Sequence, residues 1–124
     1  MCDKIKVDIL GTEYTVSIGV SLADDKSLEG RYGYCQPTAR SIVIVDMNEV
    51  PQWAGEDEKC KEATIEVTLR HEVIHAFLAE SGLWGCSMDV ESWAMNEEMI
   101  DWIAMQFPKI LKVFETLGCT GGTS

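Results

Sequence analysis

Two histidines spaced four residues apart are the clearest chemical feature of this sequence. His71 and His75 flank Glu72 in the pattern His-Glu-x-x-His. Since a helix turns by about 100° per residue, residues four apart lie on one face, one turn above the other. Two neutral imidazoles stacked in this way can bind one metal ion, and a carboxylate beside them can act as a general base. The motif therefore predicts a catalytic Zn²⁺ site that keeps an open coordination position.

The third protein ligand of such a site is expected to be a carboxylate. His71 and His75 are the only histidines of the chain, and no cysteine is placed to replace a third one. Catalytic zinc sites with two histidines are commonly completed by a glutamate. The next predicted helix carries four acidic candidates, Glu91, Glu97, Glu98 and Asp101.

Glu97 is the preferred candidate among these acids. It shares a predicted helix face with Ala94, Ala104 and Asp101, and the two alanines would permit close packing on the histidine helix. Asp101, one turn further on, is placed to accept the outer N–H of a zinc-bound imidazole. Glu98 lies about 100° round the helix from Glu97. Its face is apolar, like the face of Glu97, so helical geometry alone does not decide which of the two glutamates is the ligand.

Two β-hairpins are predicted upstream of the histidines. Apolar and polar residues alternate over residues 4–9 and 14–20, with a turn at residues 10–12. The second hairpin joins residues 31–35 to residues 42–45. The Ile-Val-Ile-Val run of its second arm is apolar on both faces, which predicts an inner strand. The first arm contains glycine, which weakens an interior strand, so this arm is predicted at the sheet edge.

Helices are predicted for most of the remaining chain. Residues 57–81 alternate like a strand in part, but the length of the segment, its acidic first turn and Gly82 as a C-terminal cap favour a helix. A second helix is predicted from Asp89 to about Gln106. Pro108 should break or kink it, and a short final helix should then end at Gly118.

Composition and charge restrict the class of protein. A chain of 124 residues is long enough for one domain, assigned to residues 1–118, with a flexible tail at 119–124. The net charge of −11 repels phosphate backbones and anionic lipids, which disfavours nucleic acid and membrane as partners. The five cysteines are scattered and the N-terminus has no apolar run suited to a signal peptide, so a cytoplasmic protein with free thiols is expected.

The ligand-bearing residues resemble a known group of enzymes. His71-Glu72-x-x-His75 followed by Asn96-Glu97-x-x-x-Asp101 is similar to the gluzincin clan of zinc metallopeptidases. The order of two hairpins, active helix and glutamate helix, over roughly residues 28–106, resembles the minimal ImmA/IrrE-type metallopeptidases of phages and mobile elements. The resemblance implies a zincin-like α+β fold. In that fold a small twisted sheet of about four strands packs on a central HExxH helix, followed by a ligand-bearing helix and a short C-terminal helix.

The resemblance also implies roles for individual residues. It implies three zinc ligands, His71, His75 and Glu97. Glu72 would be the general base, and Asp101 would support the ligands from behind. The larger gluzincins supply a separate His or Tyr that stabilises the oxyanion. No further histidine exists here, which leaves Tyr32 or Tyr34 as the candidates for that role.

These observations together predict a zinc-dependent metallopeptidase that acts on a peptide or protein substrate. The substrate is expected antiparallel along the edge strand formed by Arg31, Tyr32, Gly33, Tyr34 and Cys35, because Gly30 and Gly33 would let a backbone approach. Trp84, between the two ligand helices, is a candidate to line the cleft. The alternative is a zinc-bound regulatory or protein-interaction module without general peptidase activity. Glu72 discriminates between the two, since a pure scaffold has no use for a general base.

Overall fold

The computed structural model describes residues 2–82 and 97–121 of the chain. Within these ranges the regular elements are four strands and two long helices: β1 (Asp3–Ile9), β2 (Thr12–Val20), β3 (Gly33–Gln36), β4 (Ser41–Val45), α1 (Glu58–Ser81) and α2 (Glu97–Leu117). Single turns of 3₁₀ helix occupy Lys26–Leu28, Pro37–Ala39 and Met47–Glu49. The fold is α+β, as the sequence predicts.

The first hairpin forms where the alternating pattern predicts it. β1 and β2 pair antiparallel, with Val7 opposite Tyr14 and both side chains buried. The turn between them has positive φ at Leu10 (51°) and Gly11 (92°). Two consecutive residues with positive φ match the right-handed twist of the flanking strands, which explains why so short a turn closes this hairpin.

The sheet is mixed, with the strand order β1-β2-β4-β3. β4 pairs parallel with β2 on one side and antiparallel with β3 on the other. Ile42, Val43, Ile44 and Val45 are all buried, which confirms that the Ile-Val-Ile-Val run is an inner strand. β3 lies at the edge of the sheet, also as predicted, although the strand begins only at Gly33.

The histidine-bearing helix α1 packs across one face of the sheet. Asp57 caps its first turn by accepting a hydrogen bond from the Lys59 N–H, and Gly82 ends it in the left-handed conformation at φ 87°. Both ends therefore agree with the sequence prediction. The buried α1 side chains Leu69, Val73, Ala76 and Phe77 join the inward-facing strand residues in one hydrophobic core.

The helix α2 corrects one prediction. It runs without interruption from Glu97 to Leu117, so the expected break at Pro108 and the separate short helix after it are wrong. Proline removes one backbone donor and crowds the preceding turn, at a cost of about 3 kcal/mol. The turns after it bury Ile110, Val113 and Phe114 in the core. This burial at helical spacing keeps the segment helical on both sides of the proline. The start predicted at Asp89 lies outside the described residues.

The chain remains packed beyond the end of α2. Cys119 is fully buried in the core, and its carbonyl accepts a hydrogen bond from Arg70 Nη1 at 2.9 Å. The Gly121 N–H donates to Glu66 Oε1 at 3.3 Å. Residues 119–121, which the sequence analysis assigned to the tail, thus make specific contacts with α1. Neither described helix has an apolar stretch long enough to cross a membrane.

Candidate metal centre

The helical repeat of α1 brings the two histidines of the motif together. The Nε2 atoms of His71 and His75 lie 3.0 Å apart, and the ring centroids are 4.6 Å apart with the ring planes at 75°. Both side chains are exposed on the side of the helix that faces away from the core. Two ring nitrogens thus converge on one point at the surface of the helix.

Glu72 completes a cluster with these histidines. One oxygen of its carboxylate and one nitrogen of each imidazole all lie within 4.8 Å of one another. Glu72 is only 8% exposed, and it lies about 100° round the helix from His71, on the side of the sheet. A carboxylate held beside the two nitrogens but to one side of them has the placement that a general base requires.

The geometry of the two imidazoles fits a tetrahedral metal ion. Two nitrogens bound to zinc at about 2.0–2.1 Å with a tetrahedral angle would lie roughly 3.3 Å apart. The observed separation of 3.0 Å differs from this by an amount that a small rotation of either ring removes. Within residues 2–82 and 97–121, the group His71, Glu72 and His75 is the one found that could hold a metal ion. Imidazole nitrogens are suitable ligands for Zn²⁺ and for other transition-metal ions.

The remaining predicted ligands are described only in part. Glu97 is the first described residue of α2, and Asp101 lies about one turn further on, but the side chains of both lie outside the described part of the chain. Glu91 and Trp84 lie outside it entirely. Glu98, the alternative to Glu97, is exposed. The preference between Glu97 and Glu98 therefore stays a prediction.

An open, mostly apolar cleft of about 440 Å³ adjoins the histidines on the side of α2. Its walls include Val67, Ile74 and Leu78 of α1 and Phe114 of α2. Val67 is 57% exposed, which is unusual for a valine on a packed helix. The nitrogen donors thus border apolar surface, which lowers the local polarity around any ion bound there.

The edge strand β3 lies directly against the same helix. A side chain at Gly33 would place its β-carbon 2.8 Å from the Val43 carbonyl oxygen and 3.1 Å from Cγ2 of Thr68 on α1. Gly33 was expected to make room for a substrate backbone. The structure shows that it makes room for α1 and β4, and this close approach brings β3 alongside the histidine motif.

The hydrogen-bond register of β3 leaves backbone groups free at the sheet edge. The Val45 N–H donates to the Tyr32 carbonyl at 2.8 Å, so residues 32, 34 and 36 turn their polar backbone groups towards β4. Gly33 and Cys35, at the alternate positions, turn theirs outward. Among the described residues no further strand pairs with this edge. The edge is therefore able to accept an extended chain.

Cys35, which packs against the core, is not suited to bind metal or act as a nucleophile. Burial, together with the negative charges of Glu72 and Glu80, raises the pKa of its thiol to about 12. A thiol with this pKa stays protonated near neutral pH, whereas metal binding and nucleophilic attack need the thiolate.

The two tyrosines expected near the oxyanion lie elsewhere. Side chains alternate along β3, so Tyr34 projects to the face opposite Gly33 and Cys35, and its hydroxyl donates to Asp25. Tyr32 and Tyr34 both pack against a second buried cluster on that face, formed by Leu28, Val43, Val45 and Met47. The Tyr32 hydroxyl accepts a hydrogen bond from Trp53 Nε1 at 2.7 Å. The structure does not bring either hydroxyl to the histidines. Because side chains alternate along a strand, knowing that Cys35 faces α1 would have been enough to exclude Tyr34 as the oxyanion-stabilising residue.

Comparison with known proteins identifies no relative of this chain. No protein-family model matches it, and no curated protein or solved structure is significantly similar to it.

Proposed function

We propose that this protein is a zinc-dependent metallopeptidase that hydrolyses peptide bonds. The observation that carries the proposal is the convergence of His71, His75 and Glu72 on the helix that packs against the edge strand β3. A metal-binding nitrogen pair, a buried carboxylate and an open strand edge are the three parts that hydrolysis of an extended peptide requires.

The ligand set proposed for the zinc is His71, His75 and Glu97, with Asp101 orienting one of the imidazoles. The support for the carboxylate is that α2 carries Glu97 in its first described turn and packs against α1. Two histidines and one glutamate leave a fourth position for water. Bound zinc would lower the pKa of that water towards about 7 and polarise the substrate carbonyl.

The chain's own residues supply the remaining chemistry. Glu72 accepts the proton of the attacking water and delivers it to the nitrogen of the leaving amine. Gly33 and Cys35 hold the substrate through their outward N–H and C=O groups, which fixes the scissile bond beside Glu72. The low exposure of Glu72 limits competition from bulk water for its carboxylate.

The proposed class is a minimal gluzincin similar to the ImmA/IrrE-type enzymes. The mixed four-stranded sheet, the packing of α1 across it and the edge position of β3 agree with what that resemblance implies. One departure concerns the two tyrosines considered for oxyanion stabilisation: the Tyr34 hydroxyl donates to Asp25, and the Tyr32 hydroxyl accepts a hydrogen bond from Trp53. Oxyanion stabilisation would then fall mainly on the metal.

The proposal is tested with the Glu72→Gln variant. Glutamine preserves the shape of the side chain but cannot accept the proton, so zinc content should stay the same while peptide hydrolysis falls by about 10²-fold or more. Zinc is measured by elemental analysis, and cleavage by mass spectrometry of a broad peptide library. Glu62→Gln, an exposed glutamate on the same helix, is the matched control. Unchanged cleavage by Glu72→Gln, in protein free of other proteases, would contradict the mechanism.

A second candidate function is a zinc-bound regulatory or protein-interaction module. The exposure of both histidines and the distance of the two tyrosine hydroxyls favour it, since a site that only binds needs no closed cleft. Stoichiometric zinc in a protein that cuts no peptide of the library would select this function.

A further inference from the structure

A second cavity lies at the start of β3. It encloses about 440 Å³ between the segment that enters the strand and the loop that follows the 3₁₀ turn Met47–Glu49. Its lining is largely apolar: Leu22, Leu28, Tyr32, Val50 and Pro51. Arg31 is the charged residue among the described side chains that line it. The mechanism proposed above makes no use of this cavity.

The register of β3 relates this cavity to a bound peptide. In an antiparallel pair, residues directly opposite each other project their side chains to the same face. A substrate residue opposite Cys35 would therefore project to the face of β3 that meets α1, the face on which a β-carbon at Gly33 would touch Thr68. The peptidase proposal places the scissile bond on this face. The two chains run in opposite directions, so a step towards the N-terminus of β3 is a step towards the C-terminus of the substrate. The substrate residue opposite Tyr32 therefore lies three residues C-terminal to the one opposite Cys35.

The residue opposite Tyr32 would face the second side of the sheet. Tyr32 itself packs there with Leu28 and Val45, and its ring forms part of the cavity lining. The geometry points to a specificity subsite: the cavity takes an apolar side chain of the substrate, three residues to the C-terminal side of the residue opposite Cys35. This inference rests on the proposed peptidase function and names the substrate class of that same site.

The positive charge of Arg31 at the cavity predicts which substrate side chains are disfavoured there. Arg31 stands at the cavity, with its guanidinium carbon 5.7 Å from the centroid of the Tyr34 ring. The described residues offer it no carboxylate within ion-pair distance. A basic substrate side chain entering here would meet an unpaired like charge in a mostly apolar surrounding, which is unfavourable. Leucine and phenylalanine should therefore be preferred over lysine at this position.

The test uses peptides that differ only at this position, carrying Leu, Phe, Ala or Lys. For the wild type, kcat/KM for Leu should exceed that for Lys by about 10-fold or more. Arg31→Glu should lower the Leu-to-Lys ratio by about 10-fold, because the charge at the cavity is reversed. Val50→Trp should lower the Leu-to-Ala ratio, because the larger side chain fills the cavity. Arg40→Glu makes the same charge change at an exposed residue that does not line the cavity, and it should leave both ratios unchanged.

Binding of the same peptides to Glu72→Gln, followed by fluorescence anisotropy, provides a readout without turnover. The order of affinities should again be Leu above Lys, and Arg31→Glu should reduce the difference. If the wild type cuts peptides but Arg31→Glu and Arg40→Glu give the same ratios, the subsite is wrong while the peptidase function stands. If the wild type neither cuts nor binds any peptide, both fail. Circular dichroism confirms folding, and if Val50→Trp does not fold, Arg31→Glu decides alone.

Discussion

At the scale of single residues, the candidate site depends on where three side chains of one helix point. His71 and His75 converge because they are four residues apart on α1, and Glu72 turns towards the sheet because it is one residue further round. On an irregular segment these three side chains would not lie close together. The candidate site therefore requires α1 to be a continuous helix, which the caps at Asp57 and Gly82 favour.

A prediction at this scale concerns the zinc ligands. His71→Ala and His75→Ala should each lose bound zinc, because removal of one nitrogen leaves too few ligands for stable coordination. Glu97→Ala should also lose zinc, whereas Glu91→Ala and Glu98→Ala should retain it. Zinc content is measured by elemental analysis of protein purified in zinc-containing buffer. Glu62→Ala serves as the control on α1. Loss of zinc in Glu98→Ala together with retention in Glu97→Ala would show that the other register of α2 is correct.

At the scale of elements, the close approach of β3 to α1 determines whether a peptide bound along the strand edge can reach the histidine motif. Gly33 permits this approach, since no side chain fits between β3, β4 and Thr68. Gly33→Ala should therefore lower the free energy of unfolding by about 1–3 kcal/mol through overpacking. Urea denaturation followed by circular dichroism measures the change. Gln36→Ala, at an exposed position of the same strand, is the control, and equal stabilities of the two variants would contradict the close approach.

The continuity of α2 gives a second prediction for an element. Pro108 is exposed within a helix that continues on both sides. It therefore removes one helical hydrogen bond and makes no compensating contact with the core. Pro108→Ala should raise the free energy of unfolding by about 1–2 kcal/mol, since the helix cost of proline exceeds the entropy that proline removes from the unfolded chain. Lys109→Ala, at the next exposed position, should change it little. A loss of stability in Pro108→Ala would show that the fold requires a bend at this point.

At the scale of the whole molecule, two buried clusters on opposite faces hold the sheet. One lies between the sheet and the helices, and the other gathers Leu28, Val43, Val45 and Met47 with Tyr32 and Tyr34 packed against it. Tyr34 connects this second cluster to the preceding loop through its hydrogen bond to Asp25. Burial, together with the hydrogen bond to Asp25 and the negative charge of Asp25, raises the pKa of Tyr34 to about 12.

This raised pKa predicts a loss of stability at high pH. A group whose pKa is higher in the folded than in the unfolded state stabilises the fold below the unfolded pKa of about 10 and loses that contribution as pH rises through the folded value. The free energy of unfolding should therefore fall between about pH 10 and pH 12. The decline should be smaller in Tyr34→Phe, which has no ionisable group there. Chemical denaturation at a series of pH values measures it, and an identical decline in both proteins would contradict the assignment.

The local elements could be predicted from the sequence because they follow from short-range patterns. The first hairpin, the inner position of residues 42–45 and both ends of α1 depend on alternation, burial and capping residues that lie within a few positions of one another. The predicted helix break at Pro108 was wrong because the burial of Ile110, Val113 and Phe114 outweighs the tendency of proline to interrupt a helix. This burial exists only in the packed molecule.

The cluster of His71, Glu72 and His75 could be predicted from the amino-acid sequence alone, since their spacing on a helix is enough to bring the three side chains together. The surroundings of this cluster follow from long-range packing. Cys35 packs against the core shared with α1, Tyr32 and Tyr34 lie on the other face of the sheet, and Gly33 lies at the contact with α1. The physical reason is that the face of a strand that meets a helix is fixed by the register of the whole sheet and by long-range packing, which no local pattern encodes.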